Sequence, residues 1–288
     1  MNYHQYKQYR ASLAQSLIFL DDLNPYEILP ALKKKYSAHQ LEIARQGEFI
    51  MRSGGVRLIL EVLFSQFSQQ GYSIILPEDI YPVYFELMPE NKQAIKYRTC
   101  NETLLALPEV EKSVLLIADP LMPEGRYLSG VICRQLADWL KASEGRWLFI
   151  DKVYDPGQTK TSKDVLKGNV IYIDSLSKKS LISGEQGWAT SGVRCKGFNS
   201  VTDSITVSSY AEALQILYAK AWLSIRKKKI IADDLWFIPE TGYVTVVNKN
   251  YKYFLENNIA AIPATVYGIK DRDLSVISCL TQVKYELR

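Results

Sequence analysis

Histidine is almost missing from this chain: His4 and His39 are the only two in 288 residues, both in polar N-terminal segments. A Ser-His-Asp or Cys-His nucleophile would have to recruit one of them, and a zinc site has no plausible ligand spacing. Cysteine is sparse as well. Cys100, Cys133, Cys195 and Cys279 stand far apart and form no C-x-x-C pair. Neither nucleotide-binding glycine signature occurs: there is no G-x-x-x-x-G-K-[ST], and no G-x-G-x-x-G after a strand. The N-terminus Met1-Asn2-Tyr3-His4-Gln5-Tyr6 is polar rather than leader-like, and no apolar run approaches membrane-spanning length. We therefore expect a cytoplasmic protein with reduced thiols and no membrane partner. A formal charge of +4 is too small to argue for nucleic acid. The basic runs Lys33-Lys34-Lys35 and Arg226-Lys227-Lys228-Lys229 fall in helical segments or at their ends, where cations meet the negative end of the dipole. Most of the catalytic options left are lysine, tyrosine or carboxylate chemistry, or none.

What is present is an ordinary core, 47% hydrophobic and 23% charged, enough for one large domain or two closely packed ones. Residues 1–50 read as a helical, loop-containing N-terminal segment broken at Asn24-Pro25. From Val56 to Phe67 apolar residues recur every three or four positions and stop at Gly71, the signature of an amphipathic helix. Short apolar runs at 73–77, 114–118, 147–151 and 170–174 read as strands. Between the second and third lies a helix capped by Ser129, with Gly145 past its end. Apolar strands alternating with amphipathic helices predict an α/β fold with a mostly parallel central sheet covered on both faces. We place the large domain at 51–206, a linking helix at 207–232 and a small α+β domain at 233–288. In such sheets ligands sit outside the carboxyl ends of the strands, where Asp119, Asp151 and Asp174-Ser175 fall.

Two of those ends carry the chemistry. Trp147-Leu148-Phe149-Ile150-Asp151 runs into Lys152-Val153-Tyr154, and Val170-Ile171-Tyr172-Ile173 runs into Asp174-Ser175-Leu176-Ser177-Lys178. A strand-end carboxylate, a tyrosine three residues on and a Ser-x-Ser-Lys at the next strand end match the way proteins hold pyridoxal phosphate. Lys178 can form the Schiff base and Asp151 can pair with the pyridinium nitrogen. Ser53-Gly54-Gly55, opening a helix, offers free N–H groups and a positive dipole end to a phosphate. Taken singly, each has an ordinary alternative: a plain turn at Ser53-Gly54-Gly55, a cap or surface acid at Asp151, a solvated Lys178-Lys179 pair. Their joint order is what points to the cofactor.

The same order resembles the class I/II aminotransferases, the fold-type I pyridoxal phosphate enzymes, from about residue 50 onward. Ser53-Gly54-Gly55-Val56 resembles their phosphate turn, and Tyr81-Pro82-Val83-Tyr84 their Y-P-x-Y segment. Ala118-Asp119-Pro120-Leu121-Met122-Pro123-Glu124-Gly125 is similar to their N-x-P-x-N-P-T-G loop. Asp151-Lys152-Val153-Tyr154 matches D-E-x-Y, and Ser175-Leu176-Ser177-Lys178 matches S-x-S-K. Segments 237–243 and 262–268 are similar to two late glycine-containing elements. The resemblance implies Lys178 as Schiff-base lysine and proton shuttle, Asp151 on the ring nitrogen and Tyr154 on the phenolic oxygen. It further implies Ser53, Gly54, Gly55, Ser175 and Ser177 around the phosphate, Tyr84 or Tyr81 over the ring, and a homodimer with sites at the interface.

Three positions depart from that pattern. Met122 replaces an asparagine that bonds the phenolic oxygen, and a thioether is no useful donor. Gln186 stands where a phosphate-binding arginine belongs, a loss of bidentate recognition. Val276 stands where an arginine grips the substrate carboxylate, with Arg272 just before it. The expected activity is therefore amino-group chemistry between a small-molecule donor and acceptor, with transamination as the default. Decarboxylation, elimination or cyclisation share its early steps. A non-catalytic homologue acting as a binding or scaffold subunit is the alternative.

Overall fold

The apolar runs at 73–77, 114–118, 147–151 and 170–174 become strands and the periodic stretch after Val56 a helix, and the described strands form two sheets. The computed structural model describes residues 5, 8, 17–19, 48–52, 55–155, 165–175, 187–191, 236, 239–242, 244–257, 259–271 and 273–283. The strands are β1 (Leu17–Phe19), β2 (Glu48–Arg52), β3 (Ser73–Pro77), β4 (Ile95–Tyr97), β5 (Ser113–Ala118), β6 (Arg146–Asp151), β7 (Val170–Ser175), β8 (Gly187–Ser191), β9 (Val244–Val247), β10 (Ile259–Pro263) and β11 (Ser275–Val283). The helices are α1 (Gly55–Gln69), the single turn α2 (Val83–Glu86), α3 (Gly130–Lys141) and α4 (Tyr251–Glu256).

The larger sheet has the order β2-β8-β7-β6-β5-β3-β4. From β7 to β4 every pairing is parallel, while β8 runs antiparallel to both β7 and β2. Its strands read as continuous apolar runs because both faces are covered. On one face α1 packs Ile59, Leu60, Leu63, Phe64 and Phe67 against Ile74, Leu76, Phe149 and Ile171. On the other, α3 packs Ile132, Cys133 and Leu136 against Ile75, Leu115, Ile117, Leu148 and Ile150. Each such large side chain taken from water contributes roughly 1.5–3 kcal/mol. Ser129 caps α3 as expected, its hydroxyl accepting from the Ile132 N–H at 3.2 Å. Among the described residues no helix is long and apolar enough to cross a membrane.

The smaller sheet is built on β11. β10 lies along one edge, β9 beside Ser275–Ser278 and β1 beside Thr281–Val283, all antiparallel. Residues 1–50, which the sequence led us to expect as helical and loop-like, thus contain the strand β1 and the start of β2. β1 completes the C-terminal sheet and β2 closes an edge of the larger one. A three- or five-residue strand of this kind owes its conformation to the open edge it pairs with, not to its own periodicity. The helix expected over 207–229 lies outside the described residues.

Candidate active site

The parallel strands β3, β5, β6 and β7 finish on one edge of the larger sheet, which brings together residues far apart in the chain. Alternation along β6 decides which face each side chain takes. Phe149 packs with α1, while Leu148 and Ile150 pack beneath α3. Asp151, two residues beyond Phe149, meets Tyr84 of α2 on that same first face. Asp151 is 1% exposed. Its Oδ1 accepts the Val153 N–H at 2.9 Å, and its Oδ2 accepts the Tyr84 hydroxyl. Burial first, then the charge of Asp151 and the hydrogen bond to it, push the Tyr84 phenol well above its ordinary range; Tyr154 and Tyr81 lie near enough to add to this. The phenol therefore stays a donor at any working pH.

Tyr84→Phe removes one donor from a buried carboxylate, and we expect it to lower folding stability by about 1–3 kcal/mol near neutral pH. The effect fades in alkali. A phenol that ionises less readily in the folded state than in the unfolded one stabilises fully below its unfolded pKa of about 10 and loses that contribution as pH rises past it. The deficit of Tyr84→Phe relative to wild type should thus narrow above about pH 10. Thermal unfolding at pH 7 and pH 10.5 reads this directly, and a pH-independent difference would contradict the assigned hydrogen bond.

Tyr154 follows in the turn after β6. A Cβ placed on Gly242 would sit 3.8 Å from Tyr154 Cδ1 and 3.8 Å from both Met122 Sδ and Cε. The bare glycine, at φ +82°, leaves a recess bounded by a phenol ring and a thioether. Next to it the buried Thr241 hydroxyl finds no hydrogen-bond partner among the described residues. The recess is held in place through Gly125, whose carbonyl accepts the Glu240 and Thr241 N–H groups at 2.8 and 3.1 Å. Met122 and Tyr154 thus lie on the same recess at Gly242. Sequence reasoning did not single out Thr241 or Gly242 individually; the glycine-containing element at 237–243 was the available signal.

Ser175 ends β7, buried, with its N–H donating to Asp174 Oδ1 at 2.7 Å. Asp151 and Ser175 therefore close adjacent strands, joined in register through Asp151 and Ile173. Gly55 opens α1 at φ +70°, a conformation that glycine adopts without Cβ strain. Of the two tyrosines considered for stacking, Tyr84 is committed through its hydroxyl to Asp151. Tyr81 is half-buried and packs on Tyr267 with ring centres 5.9 Å apart. Ser53, Gly54, Ser177, Lys178, Gln186 and Arg272 lie outside the described residues. Val276 is buried in an apolar cluster with Cys100, Val246, Ala264, Ile269 and Leu274.

These residues fit a pyridoxal phosphate. A buried carboxylate suits a ring nitrogen that must stay protonated, a nearby phenol suits the ring oxygen, and the Thr241 hydroxyl, without a partner among the described residues, stands next to the bare Gly242 that borders Tyr154. Cys100 and Cys133 are buried, free thiols. Burial, followed by the charge of Asp119, pushes Cys133 up to about 11, so it is no nucleophile near neutral pH.

No protein-family model matches the sequence, and no curated protein sequence does. Solved structures do. The alanine aminotransferase of Pyrococcus furiosus is similar with a TM-score of 0.63 at 13% identity, over 96% of this chain and 83% of that one. The tyrosine aminotransferase of Leishmania infantum is similar with a TM-score of 0.62 at 12% identity, over 88% and 78%. A pyridoxal phosphate-bound C-S lyase from Staphylococcus hominis is similar with a TM-score of 0.60 at 14% identity, over 96% and 82%. At such identities the likeness concerns the fold, and the fold is the expected one: fold-type I, a mostly parallel sheet covered by helices with a smaller C-terminal sheet.

Proposed function

We propose that this chain is a pyridoxal phosphate-dependent enzyme acting on the amino group of an amino acid or amine, with transamination as its reaction. The observation that carries the reading is Asp151. It is a carboxylate buried at the carboxyl end of a central parallel strand, held by two donors, next in the sheet to the strand whose continuation carries Lys178. Bound there, the cofactor supplies an electron sink for a bond at the substrate's α-carbon. Asp151 holds the proton on the ring nitrogen. Tyr154 donates to the ring's phenolic oxygen, and Met122 beside it withholds a second donor. Ser175, Ser177 and the turn at Ser53, Gly54 and Gly55 hold the phosphate, while Tyr81 or Tyr84 lies against the ring. Lys178 attaches the cofactor and, once released, carries the proton at the substrate's α-carbon. The protein works as a cytoplasmic homodimer.

The test is to add pyridoxal phosphate to the purified chain, reduce with borohydride and locate the attached group by peptide mass mapping. We expect a near-visible band that reduction abolishes, a label on Lys178, and sedimentation as a dimer. A chain that gains neither band nor label is not such an enzyme, and a labelled monomer removes the homodimer from the reading. The second reading, a non-catalytic homologue, draws on Val276. The position expected to hold a carboxylate-gripping arginine is instead apolar core. The C-S lyase among the similar structures keeps elimination open as the reaction branch.

A further inference from the structure

Directly behind the candidate site lies a buried ionic cluster that the functional reading does not use. Lys152 follows Asp151, so strand alternation sends it through to the opposite face of the sheet. There its Nζ lies 2.8 Å from Asp155 Oδ2 and 3.4 Å from Asp119 Oδ2. All three side chains are 6% exposed or less. Asp119 Oδ1 in turn accepts the Leu128 N–H at 3.1 Å, at the approach to α3. Backbone bonds tie the same segments together: the Asp119 N–H to the Asp151 carbonyl at 2.8 Å, the Lys152 N–H to Ile173 at 2.7 Å, and the Asp155 N–H to Lys152 at 2.9 Å. One ammonium therefore joins the exit of β5, the exit of β6 and the approach to α3. The Lys152–Asp155 pair closes the short turn that contains Tyr154.

We propose that Lys152 is a positioning residue: by fastening Asp155 and Asp119 behind the sheet, it sets the placement of Asp151 and Tyr154 on the front. The inference rests on the pyridoxal phosphate reading of the site. Among the described residues the ion pairs of Lys152 are those with Asp119 and Asp155, on the far side of the sheet from Tyr84. It acts through the turn. Removing the ammonium takes away the cation that Asp119 and Asp155, both buried, share, and the turn loses that tie to β5. Asp151 and Tyr154 then lose their fixed spacing.

The experiment compares wild type, Lys152→Met, Lys152→Arg and Asp155→Asn. Pyridoxal phosphate affinity and the near-visible spectrum are recorded at a temperature where each is fully folded by circular dichroism. We expect Lys152→Met to bind the cofactor about tenfold to a hundredfold more weakly, with a displaced absorption maximum. Lys152→Arg should recover most of the affinity and the wild-type maximum, because the charge is restored. Asp155→Asn keeps the Lys152–Asp119 pair but breaks the turn's closure. It should change affinity and spectrum in the same direction as Lys152→Met, and it decides the matter if Lys152→Met does not fold. Folded Lys152→Met or Asp155→Asn with wild-type affinity and spectrum overturns the inference while leaving the functional reading standing. A wild-type chain that takes up no pyridoxal phosphate overturns both.

Discussion

Replacing Lys178 by alanine is expected to abolish turnover, lowering it by about 10⁴-fold or more, and to remove the near-visible band that the wild type gains with pyridoxal phosphate. The size of the effect follows from the two roles proposed for one amine. On the proposed reading, attachment of the cofactor and movement of the α-proton are lost together. The neighbouring Lys179 is one position along the chain and would need a different geometry to replace it. Cofactor affinity should fall far less than turnover, since Asp151, Tyr154 and the phosphate-binding groups remain. The informative pair of measurements is therefore turnover and cofactor binding by fluorescence in Lys178→Ala. A variant that keeps its band and its rate would place the chemistry elsewhere. A variant that loses the band yet was inactive on every amine before mutation would favour the scaffold reading.

Gly268→Ala is expected to destabilise the protein by about 3 kcal/mol or more, a fall in melting temperature on the order of 10 °C. Gly268 ends the 3-10 turn Ala264–Tyr267 in the left-handed region, at φ +78°. A side chain there is strained by about 1–2 kcal/mol before any contact is counted. The contact is worse than the conformation: a Cβ would lie 1.9 Å from the Glu78 carbonyl oxygen and 2.9 Å from its carbon. That backbone cannot easily yield. The next residue, Asp79, is buried and accepts the Thr99 N–H at 2.9 Å, the Thr99 hydroxyl at 2.8 Å and the Cys100 N–H at 2.6 Å. The C-terminal turn is therefore pressed against the exit of β3, two residues before the Tyr81–Tyr84 segment that reaches Asp151. Differential scanning calorimetry measures the stability loss, and a cofactor titration of the same variant should show weaker binding. A melting temperature within 2 °C of wild type would mean that the Gly268–Glu78 approach is not rigid.

Much of the architecture could be read from the chain because the larger sheet is locally consistent. The apolar runs at 114–118, 147–151 and 170–174 have no good alternative between two amphipathic helices, and Ser129 caps α3 by a rule of its own residue type. The ends of those strands put Asp151 and Ser175 at the carboxyl edge of the sheet, where ligands sit. Other features lay beyond local pattern. β1 and β2 are strands only because β11 and β8 offer them an edge. Neither the periodicity of residues 1–50 nor any turn signal announces a partner more than 100 residues away.

The same division runs through the site. The sequence by itself determined which groups could act: lysine, tyrosine and carboxylates, with histidine and paired cysteines nearly absent, and with Met122 and Gln186 where donors were expected. Residue identity is local information, and chemistry follows from it. Only the tertiary structure decided what those groups touch. It gives Tyr84's hydroxyl to Asp151, sets Met122 and Tyr154 around the bare Gly242, and carries Lys152 through the sheet to Asp119 and Asp155. Apart from the local Lys152–Asp155 pair, those contacts join segments separated by dozens of residues, and their partners are chosen by strand order and by which face alternation exposes, quantities that no single segment of the chain encodes.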